Sequence, residues 1–257
     1  MRTFLLVCCF LISISLGSCN NKTSKTKTTS TQVDSETSEI TETSDTINKT
    51  ILFFGDSLTA GYGLDNPENA FPGLIQKMID SLQLNYTVVN AGISGETTSG
   101  GKNRLDWILE TDIDIFVLEL GANDGLRGLP VSETKNNLQD IIDRVQSKIP
   151  DVQIVLAGMQ LPPNLGTQYT QDFKQTFYDL AKKNDLTLIP FLLEDVGGIA
   201  KLNQSDGIHP TADGHKIIAS IFLGYYEGYD LTFLLILTSF LCTGISSYIA
   251  LRKLTKK

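Results

Sequence analysis

Histidine is scarce in this chain. Among 257 residues there are two, His209 and His215, so any imidazole chemistry has two candidates. Cysteine is missing from the whole middle of the sequence; the four present are Cys8, Cys9, Cys19 and Cys242. That distribution excludes a disulfide scaffold and a cysteine-based zinc site. Positive charge is in deficit, with 21 Lys and Arg against 29 Asp and Glu and a formal net charge of −8. A surface of that sign does not attract a phosphate backbone, so nucleic acid is excluded as an expected partner. No internal repeat is visible. What is present is a composition 41% hydrophobic and 19% charged, which suits a globular fold and rules out wholesale disorder. The length allows one ordinary domain with extensions.

The extensions lie at the two ends. Arg2 and the mostly apolar stretch from Thr3 to Leu16 precede the small residues Gly17 and Ser18, which is the layout of a signal peptide over residues 1–18. Leu16-Gly17-Ser18-Cys19 also resembles a bacterial lipoprotein box, and that resemblance implies lipid attachment at Cys19. Residues 19–50 follow as a linker; 15 of the 31 residues from 20 to 50 are Ser or Thr. So little apolar surface cannot offset chain entropy, which predicts a disordered tether. Near the other end, residues 231–251 run for 21 residues without a charge and are followed by the basic tail 252–257, RKLTKK. At about 1.5 Å per residue such a helix spans a hydrocarbon core of roughly 30 Å, and the tail would stay cytoplasmic. The expectation is an exported, membrane-anchored protein on the periplasmic side of the bacterial cell envelope, held by the Cys19 lipid and a C-terminal hydrophobic helix.

Between residues 51 and 224 the pattern alternates. Short apolar runs at Ile51–Phe54, Thr87–Asn90, Ile113–Leu120, Val152–Ala157 and Leu186–Pro190 read as strands buried on both faces. Helical stretches separate them. The clearest is Ser132–Lys148, with Leu138, Ile141, Ile142, Val145 and Ile149 on one stripe and Pro150 marking its end. Five such runs predict an α/β domain with a five-stranded parallel sheet and helices on both faces. Ligands of such sheets bind at the carboxyl ends of the strands.

Four loops at those ends carry chemistry. In Gly55-Asp56-Ser57-Leu58 a strand gives way to a helix, and Ser57 either exposes its hydroxyl above the sheet or, with Asp56, caps the helix. In Asn90-Ala91-Gly92-Ile93-Ser94-Gly95-Glu96-Thr97 glycines free the backbone to aim an N–H at a ligand, unless Thr97 or Thr98 merely caps a helix. Asn123, in Leu120-Gly121-Ala122-Asn123-Asp124, offers an amide donor, although asparagine in a loop is commonly a turn residue. In Asp206-Gly207-Ile208-His209 the carboxylate precedes the imidazole by three residues. That is close enough to bond Nδ1 and leave Nε2 for a serine. His215 reads as an ordinary packed or surface histidine. The segment Met159–Gly166, with Leu161 and Pro162, is placed to wall an acyl groove beside Leu126 and Arg127, or Pro162-Pro163 only stiffens a connection.

The four blocks GDSLTAGYG, NAGISGETT, LGANDGLRG and DGIHPTADGH, in this order, resemble the SGNH (GDSL-type) hydrolase family, in its lysophospholipase, thioesterase and arylesterase branch. The resemblance implies a flavodoxin-like three-layer sandwich. It also implies Ser57 as nucleophile, Asp206 and His209 as its partners, and an oxyanion hole made by the N–H groups of Ser57 and Gly95 and the Asn123 side chain. The implied activity is hydrolysis of a small-molecule acyl ester or thioester, with no cofactor and no metal. A carbohydrate O-acetyl esterase on the same fold is the alternative. A binding module that keeps only the scaffold is disfavoured, because every residue of the proposed chemistry is present.

Overall fold

The structure, a computed structural model, describes residues 48–226. The expected signal segment 1–18, the expected linker up to residue 47, the hydrophobic segment 231–251 and the tail 252–257 lie outside the described residues. Among the described residues no helix is long and apolar enough to cross a membrane.

The apolar runs become five parallel strands: β1 Lys49–Gly55, β2 Tyr86–Gly92, β3 Ile115–Glu119, β4 Gln153–Ala157 and β5 Thr187–Ile189. Their order across the sheet is β2-β1-β3-β4-β5, the flavodoxin-like winding. β1 starts two residues ahead of its apolar run. There the Lys49 N–H donates to the Asn85 carbonyl at 2.9 Å and the Thr50 N–H to Asp114 Oδ2 at 2.7 Å, so hydrogen bonding rather than burial sets the boundary. β2 is an edge strand and only half-buried, which is why its apolar signal is short.

Seven α-helices lie among the described residues: α1 Ser57–Ala60, α2 Phe71–Ser81, α3 Thr98–Ile108, α4 Ala122–Leu126, α5 Val131–Lys148, α6 Thr167–Asn184 and α7 Ala212–Tyr226. Successive residues of a strand point to opposite faces, and β1 shows both layers at once. The Phe53 ring packs on Phe71 of α2 and Phe222 of α7. Next to it, Phe54 lies 4.0 Å beneath the Arg104 guanidinium of α3. α2 packs against α7, and α5 packs against both α3 and α6, giving the three layers. Four residues of the predicted stripe, Leu138, Ile141, Ile142 and Val145, are fully buried in α5, whereas Ile149 lies past its end and is half-buried. The helix ends at Lys148 because Ile149, preceding Pro150, is extended at φ −131° and ψ 85°.

α7 follows the loop carrying His209 and descends along the sheet. His215, in its first turn, lies against Phe71 at the start of α2, and Phe222, two turns on, reaches the middle of β1. β1 climbs in the opposite sense, from Lys49 to Gly55. Both ends of the described chain therefore lie at the amino edge of the sheet, away from the carboxyl edge where the four loops gather.

His215 is fully buried, and its Nδ1 accepts the Phe71 N–H at 3.2 Å, a bond that needs the neutral ring. Burial, with a smaller contribution from the charge of His209, pushes its pKa down to about 4 from 6.5. Because the folded value lies below the unfolded one, the unfolded chain binds more protons between these pH values. The contribution to stability is complete above about pH 6.5 and is lost as pH falls toward 4. By that shift it amounts to about 3 kcal/mol. His215→Asn keeps an acceptor but does not titrate. Thermal melts should therefore show wild type gaining on this variant between pH 4.5 and pH 7, and a difference independent of pH would refute the assignment.

Candidate active site

At the top of β1 the chain turns sharply into α1. Asp56 is the cap, its Oδ1 accepting the Leu58 N–H at 3.0 Å, and Ser57 is the first helical residue with its side chain at the wall of a cavity. Both sequence readings of this loop hold together: one residue caps while the next presents its hydroxyl. Across the cavity mouth, the segment after β5 brings in the imidazole. His209 Nε2 lies 3.0 Å from Ser57 Oγ, and His209 Nδ1 lies 2.7 Å from Asp206 Oδ2. Asp206 reaches back because its Oδ1 accepts the backbone N–H groups of Ile208 and His209, each at 3.0 Å. Gly207 between them has φ +75°, a conformation that residues with a Cβ rarely adopt. The His209 side-chain bond first, then those two N–H groups, hold the Asp206 carboxyl down at about 2, so it stays charged at any working pH.

The loop itself is anchored to its surroundings. The Gln204 N–H donates to the His209 carbonyl at 2.7 Å and the Thr211 N–H to the Leu202 carbonyl at 2.9 Å. The Tyr62 ring lies over the imidazole, with centroids 4.6 Å apart.

The second and third loops supply donors. Among the described residues, the N–H groups of Ser57 and Gly95 donate to no protein acceptor. The Asn123 side-chain amide lies beside them in the cavity wall. Its Nδ2 donates to Asp56 Oδ2 at 2.9 Å and to the Glu96 carbonyl at 3.1 Å. Those bonds orient the amide, and accepting an oxyanion exchanges one of them. The Glu96 carbonyl is in turn fixed by a half-buried ion pair. Arg104 Nη2 lies 2.6 Å from Glu96 Oε2 and also donates to the Ala91 carbonyl at 2.8 Å. The guanidinium stacks on Phe54, so one α3 side chain ties the second loop to the ends of β1 and β2.

Leu126, Leu161 and Pro162 line the cavity, as does Met159. Arg127 does not. Its Nη2 donates to the Gly95 carbonyl at 2.7 Å, so it braces the Gly95 peptide rather than walling the groove. The cavity measures about 730 Å³, within the size range of small-molecule sites. Among the described residues no three His, Cys, Asp or Glu side chains gather closely enough to hold a metal ion.

Three features escaped the sequence. Glu96 and Arg104 sit on a loop and a helix at a spacing no periodicity pairs. Tyr62 falls inside the block GDSLTAGYG, where nothing in the pattern marks it as a neighbour of the imidazole. Glu119 was absorbed into the apolar run Ile113–Leu120, although a carboxylate so deep inside such a run is itself a signal.

A serine, an imidazole and a carboxylate joined in series at the carboxyl edge of a doubly wound sheet define a serine hydrolase. The family model for GDSL-like Lipase/Acylhydrolase matches residues 53–217, and the chain belongs to that family. It is 39% identical over 164 residues to Esterase TesA of Pseudomonas aeruginosa, a match covering 63% of this chain and 80% of that protein. It is likewise 39% identical over 171 residues to Thioesterase 1/protease 1/lysophospholipase L1 of Escherichia coli, covering 66% of this chain and 79% of that protein. Among solved structures, TesA superimposes with a TM-score of 0.67 at 35% identity, covering 70% of this chain and 99% of that one. The psychrotrophic esterase EstA from Pseudoalteromonas also gives 0.67, at 34% identity over 70% of this chain and 98% of that one.

Proposed function

We propose that the protein hydrolyses carboxylic esters or thioesters through an acyl-serine intermediate on Ser57. The observation that carries this reading is the unbroken series Asp206–His209–Ser57, with contacts of 2.7 and 3.0 Å, opening on an apolar cavity. His209 Nε2 takes the Ser57 proton as Oγ attacks the acyl carbon, and the carbonyl oxygen becomes the oxyanion. The N–H groups of Ser57 and Gly95 and the Asn123 amide receive that charge; one such donor is worth roughly 2.7–4 kcal/mol of barrier. Collapse passes the proton to the departing alcohol or thiol and leaves the acyl-serine. Water, deprotonated by the same imidazole, then releases the carboxylic acid. Asp206 holds the ring in the tautomer with a proton on Nδ1 and offsets its charge when Nε2 is protonated.

The cavity lining favours an acyl chain over an acetyl group on a sugar. Leu126, Met159, Leu161, Phe191, Leu193 and Ile208 face it, far more apolar surface than one methyl group fills. Lysophospholipids, aryl esters and thioesters of medium-chain acids fit that wall, in agreement with the names of the relatives. A p-nitrophenyl ester series from C2 to C12 tests this directly. kcat/KM should climb from acetate by up to about fourfold per added methylene until the cavity is full, since each buried methylene contributes about 0.8 kcal/mol. A maximum at acetate would favour the O-acetyl esterase reading instead.

The sequence supports export and anchoring by a lipid on Cys19 and by residues 231–251, with the residues ahead of β1 as tether and residues 49–226 as the hydrolase domain. Exported protein meets no cytosolic acyl-CoA, so the natural substrate is an envelope ester. Fractionation checks the anchoring. Full-length protein should sediment with membranes, and Cys19→Ala combined with truncation before residue 231 should move it to the soluble fraction.

A further inference from the structure

Glu119 closes β3 directly opposite Gly55, the last residue of β1, and its side chain is fully buried. Every other residue of that strand is apolar. Its Oε2 accepts two hydrogen bonds, from the Asp56 N–H at 3.1 Å and from the Thr59 hydroxyl at 2.8 Å. These donors stand on either side of Ser57, one residue before it and two after. Gly55 makes room for the arrangement. A Cβ there would lie 2.5 Å from Glu119 Oε2 and 2.1 Å from Thr59 Oγ1, so the carboxyl occupies the space a side chain would take. The other oxygen, Oε1, is buried without a hydrogen-bond partner. None of these contacts belongs to the proton relay or to the oxyanion donors, yet all of them bear on the residues that do.

We propose that Glu119 is a positioning residue for ester hydrolysis at Ser57, acting through the bonds that fix residues 56 and 59 and, by way of Asp56, on the Asn123 amide. The route is short. With its backbone held by Glu119, Asp56 offers Oδ2 to Asn123 Nδ2 at 2.9 Å and Oδ1 to the Leu58 N–H. One buried carboxyl thus sets the height of the nucleophile and the aim of an oxyanion donor together. Burial, reinforced by the neighbouring charge of Asp56, pushes the Glu119 carboxyl well above the ordinary range. Both donors of the loop meet the same oxygen, Oε2, so what the loop receives from Glu119 is an acceptor. An amide oxygen can take over that role.

This proposal rests on the hydrolase reading, and the experiment separates the two. Full-length wild type, Glu119→Gln, Glu119→Ala, Thr59→Val and a Ser57→Ala blank are assayed for kcat and KM on p-nitrophenyl butyrate. Glu119→Gln should stay within about threefold of wild type in both constants. Glu119→Ala should lose about ten- to a hundredfold in kcat with KM nearly unchanged, the cost of a misplaced reacting group. Thr59→Val, which removes one of the two donors, should fall between them. Glu119→Ala at wild-type kcat, or Glu119→Gln as impaired as Glu119→Ala, overturns the proposal. If Glu119→Ala fails to fold, an undiminished kcat for Thr59→Val overturns it equally. Wild type that turns over no faster than the Ser57→Ala blank overturns the hydrolase reading itself, whatever the Glu119 variants do.

Discussion

Ser57→Ala should abolish turnover of p-nitrophenyl esters, lowering kcat by about a millionfold, the scale seen when a serine hydrolase loses its nucleophile. The size of the effect follows from how little else the substitution changes. Alanine keeps the Cβ, the first helical position of α1 and the capping bond from the Leu58 N–H to the Asp56 carboxylate. Only Oγ goes, and with it the 3.0 Å contact to His209 Nε2. The variant should melt at or near the wild-type temperature while forming no adduct with a fluorophosphonate probe. Residual turnover accompanied by labelling would place the nucleophile elsewhere.

Asp206→Asn should cost about ten-thousandfold in kcat, less than loss of the nucleophile but far more than loss of a surface charge. Asparagine can still bond Nδ1, and it can present either an oxygen or an NH2 group to the ring. Presented as NH2, it selects the wrong tautomer, with the proton on Nε2 where Ser57 needs a base. Presented as oxygen, it leaves the imidazolium without a neighbouring charge. In wild type the His209 bond and two backbone N–H groups hold this carboxyl at about 2, so its own protonation removes no activity above about pH 4. The kcat of the variant should stay depressed across pH 5 to 9. Recovery of wild-type rates at alkaline pH would show that Asp206 only sets the proton affinity of the ring.

Much of the architecture was legible because a parallel sheet buried on both faces leaves a blunt signature. Ile51–Phe54 and Ile154–Ala157 are apolar without interruption, since helices cover them above and below. Edges were less legible. β2 pairs on one side only and extends beyond Thr87–Asn90 at both ends, and β1 begins on hydrogen bonds from Lys49 and Thr50 that no hydropathy pattern contains. Three of the chemistry-bearing loops stood out because each directly follows a strand. Asp206 and His209 could be paired on local spacing alone. Contacts between distant segments were invisible. Arg127 lies next to the groove residue Leu126 in sequence, yet it turns to the Gly95 carbonyl, because that peptide also needs a partner. Glu119 reads as the polar end of a strand until the fold sets it beneath residue 56.

The routing of the polypeptide decides what the enzyme can reach. Chain enters at the foot of β1 and departs at the foot of α7, whose 15 residues measure about 22 Å from end to end. A substrate therefore arrives from the side opposite both of these ends, and anything joined to residue 48 or residue 226 begins at the sheet edge remote from Ser57.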